Sequence, residues 1–240
     1  MAFRKEPFTV GEYYHIYNRG NSKQEIFLED TDRDRFTKLL YLCNSDRSIK
    51  FRENIVEKRI DAWDFDTGKP LVSIGAWVLM PNHFHLYITP RRRLGDLMDG
   101  TDDNSLPSFI QKLCTAYSMY FNKKYGRTGK LFEGPFKSVR SINDRQAKYI
   151  FSYIHLNPVK LINPFWKEKE ITDITGTIDF LNTYSWSSYL DYQEKKRSEN
   201  KLLKVTDFPE YFTSKRNFSK EIFDWLTLPK ASPWGDNMSY

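Results

Sequence analysis

Two short runs in this chain carry residue types whose spacing could do chemistry: His83-Phe84-His85, and the stretch from Lys148 to Lys160 that contains Tyr149, Tyr153 and Asn157. The histidines follow a Pro81-Asn82 turn between two apolar, β-branched runs, Leu71 to Met80 and Phe84 to Thr89, which read as paired strands. Strand side chains alternate faces, so His83 and His85 point one way and Phe84 the other. Two imidazoles at i and i+2 can grip one metal ion, although a strand histidine by itself is more commonly a hydrogen-bonded structural residue. The second run supplies what the pair lacks. Residues four apart share a helix face, so Tyr149, Tyr153 and Asn157 form one stripe. Two imidazole nitrogens (His83, His85) and the Asn157 amide oxygen suit Mg²⁺ or Mn²⁺ with positions left open for phosphate oxygens. The phenolate of Tyr153 is the candidate nucleophile, with Tyr149 as runner-up. Tyr153 is preferred because Asn157 lies one turn beyond it, just before Pro158 stops the helix. His155 is two residues from Tyr153, faces away, and reads as structural; His15 reads as packed or DNA-facing rather than as a ligand.

The elements that must position these groups follow from periodicity. Tyr13 to Asn18 reads as a first strand, and Thr31 to Cys43 as a helix capped by Asp30 or Thr31. Leu106 to Lys124 is a helix with Pro107 in its first turn, and Phe136 to Ile142 a strand. Asn143 or Asp144 caps a helix running to about Leu156, and Ser219 to Leu226 reads as a last helix. The order predicts an α+β domain, a ferredoxin-like antiparallel sheet with helices on one face. The boundaries expected are 8–165 for this domain and 166–240 for an aromatic, helical C-terminal extension. Residues 95–105 read as a mobile connection and 229–240 as a loose tail.

The 240 residues are 40% hydrophobic and 16% aromatic, enough for a sizeable core. No apolar run approaches the ~20 residues of a membrane span, so no membrane partner is expected. Met1 to Pro7 is charged and lacks a signal-peptide core. Cys43 and Cys114 are the only cysteines, which excludes a disulfide framework and a zinc-finger pattern and fits a reducing cytoplasm. The formal charge is +6, but residues 112–160 hold ten basic residues against two acids, leaving the rest slightly acidic. Tyr117, Tyr120, Phe121, Tyr125, Phe132 and Phe136 lie among those cations. Cations that track phosphates, interleaved with rings that stack on bases, suit single-stranded or hairpin DNA. Lys123, Lys124, Arg127, Lys130, Lys137, Arg140 and Lys148 are the candidate phosphate contacts.

Several separated blocks, in order, resemble the single-tyrosine HUH transposases, and most of all the REP-associated tyrosine transposases. They are Tyr14-His15-Ile16-Tyr17-Asn18-Arg19-Gly20, then Trp77 through His85, then Tyr120-Phe121-Asn122 with Gly129 through Gly134. Tyr153 through Lys160 and Trp186-Ser187-Ser188-Tyr189 complete the set, which spans roughly residues 8 to 192. The resemblance implies the HUH endonuclease fold, with His83, His85 and Asn157 holding a divalent metal and Tyr153 attacking single-stranded DNA beside a hairpin. It implies a 5′-phosphotyrosine link, a free 3′-hydroxyl and later strand transfer. It also makes Arg19 and the first strand candidates for reading a guide sequence. Pro135 departs from the arginine that many relatives carry, which puts one backbone-phosphate contact in doubt. The resemblance covers both monomers and homodimers that swap the tyrosine helix. Two other readings are a domesticated hairpin-binding regulator without turnover, which the intact His83, His85, Tyr153 and Asn157 set disfavours, and a replication-initiator nickase.

Overall fold

The computed structural model describes residues 7–91, 104–210 and 214–227. Most of the expected 95–105 connection, the 229–240 tail and all but the last of the Met1 to Pro7 segment lie outside them. The elements that build the sheet are β1 (Tyr14–Arg19), α1 (Asp30–Cys43), β2 (Val72–Met80), β3 (His83–Pro90), α2 (Ser105–Lys124) and β4 (Lys137–Arg140), followed by α3 (Asp144–Leu156). The strands pair antiparallel in the order β2-β3-β1-β4. That is a βαββαβ plan, so the α+β, ferredoxin-like expectation holds.

Alternation along the strands sorts the molecule into two cores. Tyr14, Ile16, Phe84, Leu86 and Ile88 face one side, where α1 and α2 cover them with Phe36, Leu40, Phe109, Leu113 and Tyr117. His15, Tyr17, His83, His85 and Tyr87 are the intervening residues and so face the other side. β2 is buried along its whole length. A register shift between Ile74 and Ala76 lets Ile74 and Trp77 both join the first core. Gly75 sits at that bulge, where an added Cβ would come within 2.9 Å of the Phe208 ring.

Helices on one face describes α1 and α2 only. α3 lies on the opposite face, where Ala147, Ile150, Phe151 and Ile154 pack with Ala76, Val78 and Tyr87. The reason is legible in β2: a strand apolar on both sides must be covered on both sides. The chain after 165 completes this second core through α4 (Ile174–Thr183), α5 (Tyr189–Tyr192) and α6 (Lys215–Thr227), with Leu181, Tyr189, Phe218 and Ile222 buried there. It also covers the outer edge of β2. Leu79 N donates to Trp186 O (2.8 Å), Ser188 N to Trp77 O (2.9 Å) and Lys204 N to Ile74 O (2.9 Å). Among the described residues no helix is long and apolar enough to cross a membrane, and both cysteines are free thiols.

The start of α1 differs from expectation in an informative way. Glu29, not Asp30 or Thr31, is the N-cap, paired in a capping box with Asp32. Asp32 is fully buried. Its Oδ2 accepts from the backbone of Leu28 (3.0 Å) and Glu29 (3.1 Å) and from the Tyr125 hydroxyl (2.7 Å). Its Oδ1 accepts from Lys124 (2.7 Å) and the Tyr120 hydroxyl (3.0 Å). Lys124, expected as a phosphate contact, is thereby held by a buried carboxylate and by Glu29 (3.2 Å); Asp32 draws it inward because a buried anion requires a cation.

Candidate functional site

The second face of the sheet carries the chemistry. Cross-strand register sets Arg19 opposite His83 and Tyr17 opposite His85. The His83 and His85 rings lie 4.9 Å apart at 85°. α3 is fixed above them by its apolar stripe and by His155. That imidazole donates Nδ1–H to Phe151 O (2.8 Å) and meets Ser188 Oγ through Nε2 (2.7 Å). His155 therefore clamps the helix to the C-terminal segment and faces away from the cleft, as its spacing implied. Asn143 caps α3 by accepting from Gln146 N, which sets where the helix begins. Pro158, with no N–H to continue the ladder, turns the chain into a 3-10 turn over Asn157–Leu161.

These constraints bring Tyr153 to the histidines. Its ring centroid is 5.4 Å from that of His85 and 6.1 Å from that of His15. Tyr153, His83, His85 and Asn157 line one cleft of about 660 Å³, with Arg19 and Lys137 also on its wall. Tyr149 stacks on Tyr153 (6.2 Å, 13°) but turns toward Trp225 of α6 (5.3 Å) and does not reach the cleft. The stripe therefore continues past the site, and only its C-terminal half serves it.

Proton placement around the histidines follows from their hydrogen-bond partners. His83 Nδ1 lies 2.5 Å from Asn82 Oδ1, an acceptor, while the Asn82 amide nitrogen donates to Lys23 O (3.1 Å). Nδ1 of His83 thus carries the proton, and Nε2 presents a lone pair. That lone pair faces Asn157 Oδ1 at 3.4 Å, a second acceptor. Burial, with Lys160 and Arg19 nearby, lowers the imidazolium of His83 to about 4 against a weaker opposing effect of Asn157. Burial, with its histidine neighbours and Lys167, holds His85 well below the ordinary range. Both rings are therefore neutral near pH 7, the form that ligates metal.

His15 was expected to pack or face DNA. It is fully buried behind His85, with Nε2 2.9 Å from His85 Nδ1, and burial lowers it to about 3. For His85 to offer Nε2 to a cation, its Nδ1 must donate to His15. The proton of His15 then lies on its own Nδ1, a buried atom without a hydrogen-bond partner among the described residues. Strand alternation could have found His15, since His15 and Tyr17 share a face, but the pairing register that joins His15 to His85 is not readable locally. Among the described residues no three His, Cys, Asp or Glu side chains converge on a metal position. The groups that could hold a cation there are the two imidazoles of His83 and His85 and the Asn157 amide oxygen.

Burial pushes the Tyr153 phenol up, and a hydrogen bond with Asn157 acts the other way. An interaction favouring phenolate comes from the amide N–H, which leaves Oδ1 for the His83 side. Lys167, which sequence reasoning missed, lies with Nζ 4.1 Å from the Tyr153 ring centroid and lines the cleft. Burial and the neighbouring Lys160 lower its ammonium to about 8.

The remaining candidates fall in two groups. Arg19 and Lys137 line the cleft, Arg19 in a bidentate pair with Glu133. Lys123, Lys124, Arg127, Lys130, Arg140 and Lys148 do not line it. Arg127 donates to Gln24 (2.9 Å), and Arg140 lies 3.8 Å from Glu12. Lys23, Lys160 and Lys167 take their place at the cleft; Lys160 was counted in the basic stretch 112–160 but not among the phosphate contacts, and Lys167 lies beyond that stretch.

No family model matches the chain, and no curated protein matches it. Among solved structures it is similar to a REP-associated tyrosine transposase bound to a REP hairpin. That match has 13% identity and a TM-score of 0.45, covering 87% of this chain and 91% of that one. It is also similar to a candidate transposase from Deinococcus radiodurans R1, at 12% identity and a TM-score of 0.32, covering 64% of this chain and 95% of that one.

Proposed function

We propose that this protein is a metal-dependent, single-tyrosine DNA nicking and joining enzyme acting on single-stranded DNA beside hairpins. The observation that carries the reading is the meeting of two acceptors, His83 Nε2 and Asn157 Oδ1, 3.4 Å apart beside the Tyr153 phenol. Lone pairs facing one another across a cleft call for a cation, and the sequence blocks that resemble HUH transposases fall on these same positions. The donor set fits Mg²⁺ or Mn²⁺, held by His83, His85 and Asn157. A divalent ion there would polarise the scissile phosphate and offset charge developing on its oxygens.

The chain's own residues do the rest. Asn157 N–H favours the phenolate that burial opposes, and the Lys167 amine lies over the Tyr153 ring. The Tyr153 oxygen attacks phosphorus, the bond from phosphorus to the 3′-oxygen breaks, and that oxygen leaves as a hydroxyl after taking a proton. The 5′ side stays joined to Tyr153 as a phosphodiester. Another 3′-hydroxyl reverses the exchange and releases the tyrosine. One phosphodiester replaces another, so no nucleotide cofactor is consumed. Arg19, Lys23, Lys137 and Lys160 around the cleft provide positive charge for the strand.

The test is direct. Labelled hairpin DNA with single-stranded arms, incubated with the protein and Mn²⁺ or Mg²⁺, should yield a denaturation-resistant protein–DNA adduct that chelator prevents. Binding with no adduct over varied hairpins and both metals would favour the non-catalytic regulator instead.

His15 gives a second expected result. As the group that orients His85, it stands where outer-shell partners of metal ligands typically control affinity by 10–100-fold. His15→Leu should weaken Mn²⁺ binding by about that factor in calorimetric titration of the DNA-free protein. Unchanged affinity in a variant with wild-type circular dichroism would remove His15 from the site.

A further inference from the structure

The exit from α3 forms a wall of the cleft and then leaves it, exposing side chains that the chemistry above does not use. Leu161, Ile162 and Phe165 are 43%, 49% and 57% exposed within five residues of one another. Their exposure is built in. Trp166 is buried in the second core and anchors the turn, which throws the adjacent Phe165 outward. The backbone is pinned on both sides: Trp166 N donates to Asn163 O (3.2 Å), and Glu168 N and Lys169 N both donate to Phe165 O (2.9 Å each). Leu161, Pro164 and Trp166 line the cleft itself, so the apolar turn is continuous with the site of Tyr153.

Cations flank this turn. Lys160 and Lys167 line the cleft, and Lys169 places Nζ 5.1 Å from the Phe165 ring centroid. Glu168 and Glu170 alternate with them, so the turn is only weakly basic, and its lysines rather than its net charge favour a polyanion. An exposed ring with an ammonium over one face, at the mouth of a cleft, matches how single strands are held: a base stacks on the ring and the cation moves out to meet the phosphate.

We propose that residues 160–169 form the rim over which single-stranded DNA leaves the cleft, with a nucleobase stacked on Phe165 and phosphates beside Lys160 and Lys169. This rests on the nuclease reading and adds to it a place and a contact for the strand.

Anisotropy titrations of the full-length protein with a labelled hairpin, with and without a single-stranded arm, test the rim. Stacking is worth about 1–3 kcal/mol per base, so Phe165→Ala should weaken binding of the armed hairpin roughly 5- to 150-fold. Phe165→Trp should restore it, Phe223→Ala (an exposed aromatic on α6) should leave it unchanged, and the armless hairpin should not distinguish the variants. Adduct formation at saturating DNA should persist in Phe165→Ala. If wild type binds the armed hairpin and Phe165→Ala stays within twofold of it, the rim is overturned while the nuclease reading stands. The rim is likewise overturned if Phe165→Ala dissociates a dimer but leaves strand affinity intact, which would assign the turn to a second copy of the chain. A wild-type protein that binds neither hairpin overturns the nuclease reading and the rim together.

Discussion

Tyr153→Phe is expected to abolish the covalent protein–DNA adduct, lowering its formation by at least about 10³-fold while leaving DNA affinity close to wild type. The substitution removes one oxygen and keeps the ring, so the packing against His85, His15 and Tyr149 survives. What disappears is the hydroxyl of the one residue of α3 that lines the cleft. Tyr149→Phe is the paired control. Its ring packs on Trp225 away from the cleft, and the adduct should form at nearly the wild-type rate. A gel in which Tyr153→Phe still forms the adduct and Tyr149→Phe does not would transfer the nucleophile's role to Tyr149 and require α3 to rotate. If neither variant loses it, the tyrosine chemistry itself is wrong. Asn157→Ala removes both the oxygen facing His83 and the N–H favouring phenolate, so it should lose metal affinity and adduct together.

Asp32→Ala is expected to destabilise the fold by about 3 kcal/mol, read as a lower midpoint in urea and a melting temperature reduced by roughly 6–12 °C. Nothing in the cleft is touched. The loss arises because the Asp32 carboxylate satisfies two backbone N–H groups at the start of α1, two tyrosine hydroxyls and the Lys124 ammonium at once. Removing it leaves those donors competing for water in a buried place. Asp34→Ala, which breaks the half-exposed i,i+4 pair with Lys38, should cost at most about 1 kcal/mol. Acid should show the same dependence. Burial opposes ionisation of Asp32, but the hydrogen bonds from Lys124, Tyr125, the Glu29 backbone and Tyr120 outweigh it, so its folded value lies below the ordinary carboxylate range. The stabilisation is then fully present above pH about 4 and is lost as pH falls through the depressed folded value. An Asp32→Ala protein whose stability falls as steeply as wild type below pH 4 would show that other carboxylates govern the acid limb.

His83, His85, Tyr153 and Asn157 were legible because strand alternation and helical periodicity are local properties: two residues and four residues are short enough that backbone geometry alone decides which side chains share a face. The α+β plan was legible for the same reason, from periods that switch between two and 3.6. Turn and cap chemistry also placed the start of α3 at Asn143 or Asp144, of which the structure uses Asn143, and its end before Pro158.

Cross-chain relations were not local, and tertiary structure settled them. Lys124 reads as a surface cation on a basic helix until Asp32, 92 residues earlier, is seen beneath it. His15 lies 70 residues from His85, and only the β1–β3 register places its Nε2 against the Nδ1 of that ring. Tyr149 and Tyr153 share one stripe, on which spacing to Asn157 favours Tyr153, and the packing of Trp225 from α6 is what turns Tyr149 from the cleft. Lys167 becomes part of the site because Trp166 anchors the turn that delivers it over Tyr153. Periodicity is written into adjacent residues and sets which side chains can face a site. Which distant groups then share its burial and its charge depends on pairing register and core packing, and those exist only once the chain has closed on itself.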